Sequence, residues 1–598
     1  MNGDFPMRKI SVECPTSSLD EYRRLAELAC ELGATHLSAS QVELSMWQWN
    51  VNRYDPYPNW SLHRPTIFKF IVPEELRGYL PEDYAKRNLE TLAKRVEILK
   101  EFGLKATFNG MEPAYLPEKV YRDHPTWRGP RCDQSRRART EYYAPCIDNP
   151  EVRNMYVRAI GELCKVAPFE HFQLMTNDSG GGLCWNDRLY PGPNGPSACR
   201  HIDIGTRVVN FLSMFQEGAA LAGLEAEVNT RNILAHDVPA VLPMLKKGQS
   251  INNRTLTSVT STEIVGFHNY YLDNSNPIAR LMRMSKIADH IQNIQGKEES
   301  NIQLAFRDLD EIDTIRFVKK YYRKMDKGVI GKYTALLDMA SGFVGKENAE
   351  TLVEAWDLVE KIHDRFEPLD TGGHIFLLGT IHQRWLTRPL VAFPAELKPE
   401  EKDYYRQFQF QAQTEEDADN LLDLQANRWL SGLGGFNLYR MIHNEAAPQI
   451  NAVIRKMSSL TDKAVDEEAR KYIVSQTAKL KVWKCIMDNA LNVISFQFYL
   501  DEADYTTPPK DWTYVIGDQG NIRFYKLTEI VRREIDNMLE LIDVLEHAEQ
   551  PLIAQAVSKE FENVMLLGPD LADQLKKKIN IMEDHRRDFE RLYKSYNK

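Results

Sequence analysis

The sequence lacks the features that would assign a chain of this size at a glance. No run approaches the roughly 20 consecutive apolar residues of a membrane-spanning helix. Residues 1–10 carry no apolar stretch of the secretory type, so the chain is expected either to be cytoplasmic or to begin after a removed signal. No GxGxxG follows an early strand and no Walker A loop occurs, which removes the main support for a nucleotide-binding fold. Positive charge is in deficit: the net charge of −10 argues against a general nucleic-acid binder, which needs a basic surface against phosphate. The eight cysteines include no CxxC pair, and the histidines no HxH or HExxH, so neither a zinc cage nor any other metal or cofactor is expected. The cysteines read as reduced thiols, with Cys132, Cys146, Cys184 and Cys199, in loop-like sequence, the place for any disulfide.

What is present is a rhythm. Ser18 and Glu21 have the spacing of a helix capping box, and the amphipathic run after them stops at Gly33, a natural helix terminator. A strand is expected at 35–39, a second helix from about Pro81 to Phe102 and a strand at 104–108. Asn149-Pro150 opens a helix with Val152, Met155, Tyr156, Ile160 and Leu163 on one face, followed by a strand at 171–176. Helices near 202–222 and 237–246 precede strands expected at 224–228 and 255–259. Five or more helix–turn–strand units in series favour an α/β fold of the (β/α)8 TIM-like barrel type over an open sheet. From about residue 396 helical periodicity dominates, interrupted by a strand-like stretch near 512–524 with a hairpin turn at 518–521. The expectation is a catalytic barrel over 1–395 and a mostly helical C-terminal domain with a small β element over 396–598.

Long loops within a compact domain are usually functional, and in a barrel they gather at the C-terminal ends of the strands. The first long loop carries Trp47 and Trp49; the second, to Arg139, carries six arginines suited to an anionic sugar. The sharpest signal is MTNDSGGGLCW at 175–185, directly after a strand. It places Asn177 and Asp178 at a strand end, frees the backbone with three glycines, and adds Trp185 and Tyr190 as faces for a sugar ring. Glycoside cleavage ordinarily uses two carboxyl groups. Asp178 is the candidate acid; Glu227 (with Asn229 and Arg231 beyond it), Glu263, Asp308 and Asp310 are candidates for its partner. His268 and Tyr270, and the group His382, Arg384 and Trp385, are further polar–aromatic candidates for substrate binding, with domain packing as the competing explanation of the second group.

The stretch CIDNPEVRNMY at 146–156 followed by PFEHFQLMTND at 168–178 resembles the middle of α-glucuronidase-type and hexosaminidase-type glycoside hydrolase barrels. The resemblance covers residues 140–235 in pattern and the rest in architecture. It implies an acidic catalytic residue at the end of the fourth strand, where Asp178 falls, although α-glucuronidases have a glutamate there in a different context. The expected function is therefore a glycosidase acting on an oligo- or polysaccharide, with a carbohydrate as its partner and a homodimer as one oligomeric option. The alternatives are a metal-dependent sugar isomerase or epimerase and a non-catalytic glycan-binding protein.

Overall fold

The computed structural model describes residues 9–42, 54, 64–132, 140–176, 182–186, 194–253, 262–266, 277–295, 301–366, 375–410, 419–422, 430–501 and 519–594. Of these, 232, 253, 262–266, 375–378, 519–525 and 593–594 are described by backbone alone. The chain forms two compact units, the first of residues 1–268 and 290–324, the second of 269–289 and 325–598. The boundary expected at 395 falls inside the second unit, because helices Gly328–Val344 and Ala349–Phe366 pack with Gly432–Leu460 and Glu467–Asp501.

The first unit is built on a parallel sheet: β1 (Ile10–Glu13), β2 (His36–Ser38), β3 (Lys105–Met111), β4 (His171–Met175), β5 (Glu227–Ile233), β6 (Gln249–Asn253), β7 (Thr262–Gly266) and β8 (Asn301–Ala305). Their order is β6-β5-β4-β3-β2-β1-β8-β7, so the first strand lies between the second and the last. That cyclic neighbour relation is the one a barrel requires. Contacts across the sheet show that it curls. Lys9, just before β1, reaches Glu227 of β5 at 2.6 Å, and Arg231 of β5 donates to Gln303 of β8 at 2.9 Å. In a flat sheet those strands would stand roughly 19 and 24 Å apart, at about 4.8 Å per strand. Among the described residues no ladder joins β6 to β7.

The strands take their places for local reasons. Ser18 caps helix Leu19–Glu31 by accepting from the Glu21 amide at 3.1 Å. The Glu21 carboxylate returns not to Ser18 but to the Ser17 amide, at 2.6 Å. Gly33 then adopts φ +66°, turning the chain into β2. Asn149 caps Pro150–Val166 through the amides of Glu151 and Val152, as the sequence predicts. Two strand expectations shift: the segment expected at 224–228 pairs over 227–233, and β6 lies at 249–253, whereas 255–259 falls outside the described residues.

Along the strands apolar and polar residues alternate. Phe108, Phe172 and Val228 are buried on the face toward the helices, with Phe172 against Phe215 of helix Ile204–Leu221 at 5.3 Å. The opposite face carries Gln173, Asn229, Ser250 and Gln303. The interior of the curled sheet is thus polar and hydrogen-bonded, where parallel strands usually read as continuous apolar runs.

The second unit is helical, and its longest helix, Glu467–Asp501, buries Trp483, Ile486, Ala490, Val493 and Ile494. The strand expected near 512–524 is corrected in its last part. Residues 519–524, with most of the proposed hairpin turn, open helix Gln519–Glu546; 502–518 lie outside the described residues. Apolar spacing in IRFYKLTEIV satisfies a helical face as well as a strand, and here the helix prevails.

Candidate active site

The interior polar groups form tiers. At the N-terminal ends of the strands Glu227 is paired with Lys9, near His36 of β2 and His171 of β4. Both histidines are buried and held down at about 4; burial is the main cause, with each other (for His36) and Lys9 adding to it. In the middle tier Gln173 donates to Asn229 at 2.5 Å and Asn229 to Ser250 at 2.7 Å. Toward the C-terminal ends Arg231 donates to Gln303, which in turn donates to the Glu13 carboxylate at 2.5 Å. Glu13 is the last residue of β1, half-buried and fixed in orientation by that bond. The Cys14 thiol next to it is pushed up by burial first, then by the carboxylates of Asp308 and Glu311, just beyond β8, and of Glu13 and Glu21.

Glu112, directly after β3, is a buried carboxyl not anticipated from sequence. It accepts from the amides of Ile67 (2.6 Å) and Ala114 (3.1 Å) and from the Tyr156 hydroxyl (3.0 Å). Burial pushes it up to about 7 against those bonds and the nearby Lys69 ammonium. With every donor drawn from the protein and no exposed surface, it ties the post-β3 loop to helix Pro150–Val166. The signal for it was a Glu-Pro pair at the end of a strand.

The sequence candidates separate clearly. Asp178, Asn177, Trp47, Trp49, Tyr190, His268 and Tyr270 lie outside the described residues, as do Arg136, Arg137 and Arg139; Met175, three residues before Asp178, ends β4 as expected. Glu227 is corrected in position: it opens β5, at the end of the sheet opposite to where barrel chemistry occurs, and is neutralised by Lys9. Glu263 is the second residue of β7, in register with Ile302 of β8, so it too belongs to the N-terminal half of its strand. Arg231 does join the rim network. Asp310 pairs with Arg24 on the outside. Of the loop arginines, Arg128 pairs with Glu118 and lies over Tyr121 and Tyr143, and Arg131 pairs with Glu141, which is local packing.

Trp185 is held by its own loop. Its φ is +60°, its indole N–H points to the Pro196 carbonyl (3.1 Å) and the Cys199 sulfur (3.3 Å), and Arg200 covers its face. His382, Arg384 and Trp385 belong to the core of the helical unit, which corrects their assignment to substrate binding. Arg384 is fully buried, paired with Glu562 and donating to the carbonyls of Asn563 and Leu566. The Trp385 indole donates to Leu421 O at 2.8 Å, and His382 meets the Met565 sulfur. The terminal nitrogens of Arg384 and the Trp385 indole N–H are thus spent on protein partners, while the Arg384 Nε is buried without one.

No family model and no curated protein matches the chain. Solved structures do. An enzyme of glycoside hydrolase family 138, described as targeting pectin rhamnogalacturonan II, superposes with a TM-score of 0.52 at 10% identity, over 99% of this chain and 84% of that one. The chain has the fold of a glycoside hydrolase. A family 89 glycoside hydrolase from Clostridium perfringens is also similar, at a TM-score of 0.44 and 10% identity over 99% of this chain and 66% of that one.

Proposed function

We propose that this protein is a glycosidase that cleaves an oligo- or polysaccharide at the C-terminal rim of a closed (β/α)8 barrel. The observation that carries the reading is the polar inner face of the curled sheet, rising through Arg231 and Gln303 to Glu13, a carboxylate held at a strand end. Fold likeness over nearly the whole chain supports it. Asp178, three residues past the end of β4, is the general acid; Glu13 replaces Glu227 as its partner, since hydrolysis needs the second carboxyl at the same rim. Gln303 and Arg231 act as positioning residues for Glu13. Among the sugars to be tested are pectic oligosaccharides, the substrate class named for the family 138 enzyme.

The test is hydrolysis of a panel of aryl glycosides and plant-cell-wall oligosaccharides by wild type, Asp178→Asn, Glu13→Gln and Glu227→Gln. Loss of an acid or base group lowers kcat by about 10²- to 10⁴-fold. That loss is expected for the first two variants and not for Glu227→Gln. Full activity in Asp178→Asn and Glu13→Gln would remove both assignments; a wild type that binds a glycan without turnover would remove the hydrolase.

A further inference from the structure

We propose that Cys146, Cys184, Cys199 and Asp148 form a buried tetrahedral site for a thiophilic divalent cation, zinc by its donor set. The three sulfurs come from separate segments. Cys146 follows the short hairpin strand Tyr143–Pro145, Cys184 lies in the loop after β4, and Cys199 ends the helical turn Ser197–Cys199. All three are almost fully buried and reduced. The sulfur of Cys146 stands 3.5 Å from that of Cys184 and 3.8 Å from that of Cys199. A disulfide would bring two of them to about 2.05 Å. Four ligands around zinc, with bonds of about 2.3 Å to sulfur, leave about 3.8 Å between neighbouring sulfurs, the edge of the tetrahedron. The donor atoms of these cysteines and of Asp148 all lie within 4.8 Å of one another.

An independent observation comes from the carboxylate. The Asp148 side chain is 1% exposed; Oδ2 receives Arg207, but Oδ1 is buried with no hydrogen-bond partner. A bare carboxylate oxygen in the interior is costly unless something positive meets it. A cation among the three sulfurs meets it. The surroundings are also those of a metal centre. Three thiolates and a carboxylate around a 2+ ion leave a net charge of −2, which Arg207 reduces to −1. The guanidinium is locked there by the carbonyls of Cys199 and Ile202. The Trp185 N–H aimed at the Cys199 sulfur is an outer-shell bond of the kind that orients a thiolate ligand. Gly195 lies so close that a Cβ there would sit 2.8 Å from the Cys184 Cβ. No position is open to a substrate, so the site is structural. It pins both ends of segment 185–198 beside the start of helix Pro150–Val166, and stands whether or not the protein is a glycosidase. Loading displaces the three thiol protons to solvent.

The full chain, purified in zinc-supplemented reducing buffer, is expected to carry about one zinc per chain by mass spectrometry of the metal. After removal of zinc, cobalt(II) should restore the intense visible bands of a tetrahedral site together with a sulfur-to-cobalt charge-transfer band. Cys184→Ser and Cys199→Ser should lose both, and Asp148→Asn should weaken cobalt binding by about tenfold or more. If the serine variants do not fold, the wild-type titration decides. A folded, reduced wild type that carries no zinc and gives no cobalt–thiolate band overturns the proposal, as does a Cys146–Cys184 or Cys146–Cys199 disulfide in a non-reducing peptide map.

Discussion

Replacing Arg384 by Met separates two explanations of the His-Gln-Arg-Trp group, because a ligand-binding arginine and a core arginine fail differently. Arg384 is fully buried, 3.3 Å from Glu562, whose side chain is 1% exposed; it also donates to Asn563 O and Leu566 O and lies over the Phe408 ring at 5.0 Å. Methionine keeps much of the volume but takes the paired cation from Glu562, which keeps the Gln574 amide, and one donor each from two carbonyls that keep the Asn563–Leu566 backbone pair. Removing one partner of a buried ion pair costs about 3–5 kcal/mol, since the other charge stays behind unpaired. At roughly 2–4 °C per kcal/mol for a unit of this size, the melting transition should fall on the order of 10 °C. The penalty should shrink on acidification, because burial already holds Glu562 above the usual carboxylate range and a lone Glu562 takes up a proton more readily. Urea unfolding followed by tryptophan emission reports on this unit through the buried Trp356, Trp385 and Trp483. An Arg384→Met protein of unchanged stability that had lost glycan binding or turnover would refute the structural reading.

The buried histidines and Glu112 pull stability in opposite directions with pH. His36 and His171 titrate at about 4 in the folded chain against 6.5 free, so their contribution is present above about 6.5 and is lost as pH falls toward 4, up to roughly 3 kcal/mol each. His171→Asn should flatten that acid limb in chemical denaturation at pH 4.5 and 7.5; an unchanged slope would mean that the ring is not neutral and buried. Glu112, raised to about 7, contributes fully below about 4.5 and loses that contribution as pH rises through 7. Glu112→Gln should therefore cost about 1–3 kcal/mol at pH 5 and less at pH 8, and a penalty that grows with pH would contradict the assignment.

Much of the secondary structure was legible because it is encoded locally. The Ser18 and Asn149 caps, Gly33 and Gly103 at positive φ, and the apolar faces of the first-unit helices need only neighbours a few residues away. The strand before Asp178 was read for the same reason. Side-chain roles were not, since they depend on which end of a strand a residue occupies and what crosses to meet it. Glu227 and Glu13 are both acidic residues of strands; only the register of β5 and the reach of Lys9 assign one to the closed end and the other to the rim. The aromatic and cationic chemistry of His382, Arg384 and Trp385 suits a sugar, yet Glu562, distant in sequence, claims the arginine for the core.

By itself, then, the sequence determined the alternation of helices and parallel strands, through capping, glycine turns and apolar periodicity, all short-range effects. Tertiary structure alone decided that β1 lies beside β8, that the interior of the sheet is a hydrogen-bonded polar column, and that three cysteines in no recognisable spacing converge on Asp148. The physical reason is distance along the chain. Cys146 and Cys199 are 53 residues apart yet 3.8 Å apart in space, and no local rule carries information over that separation.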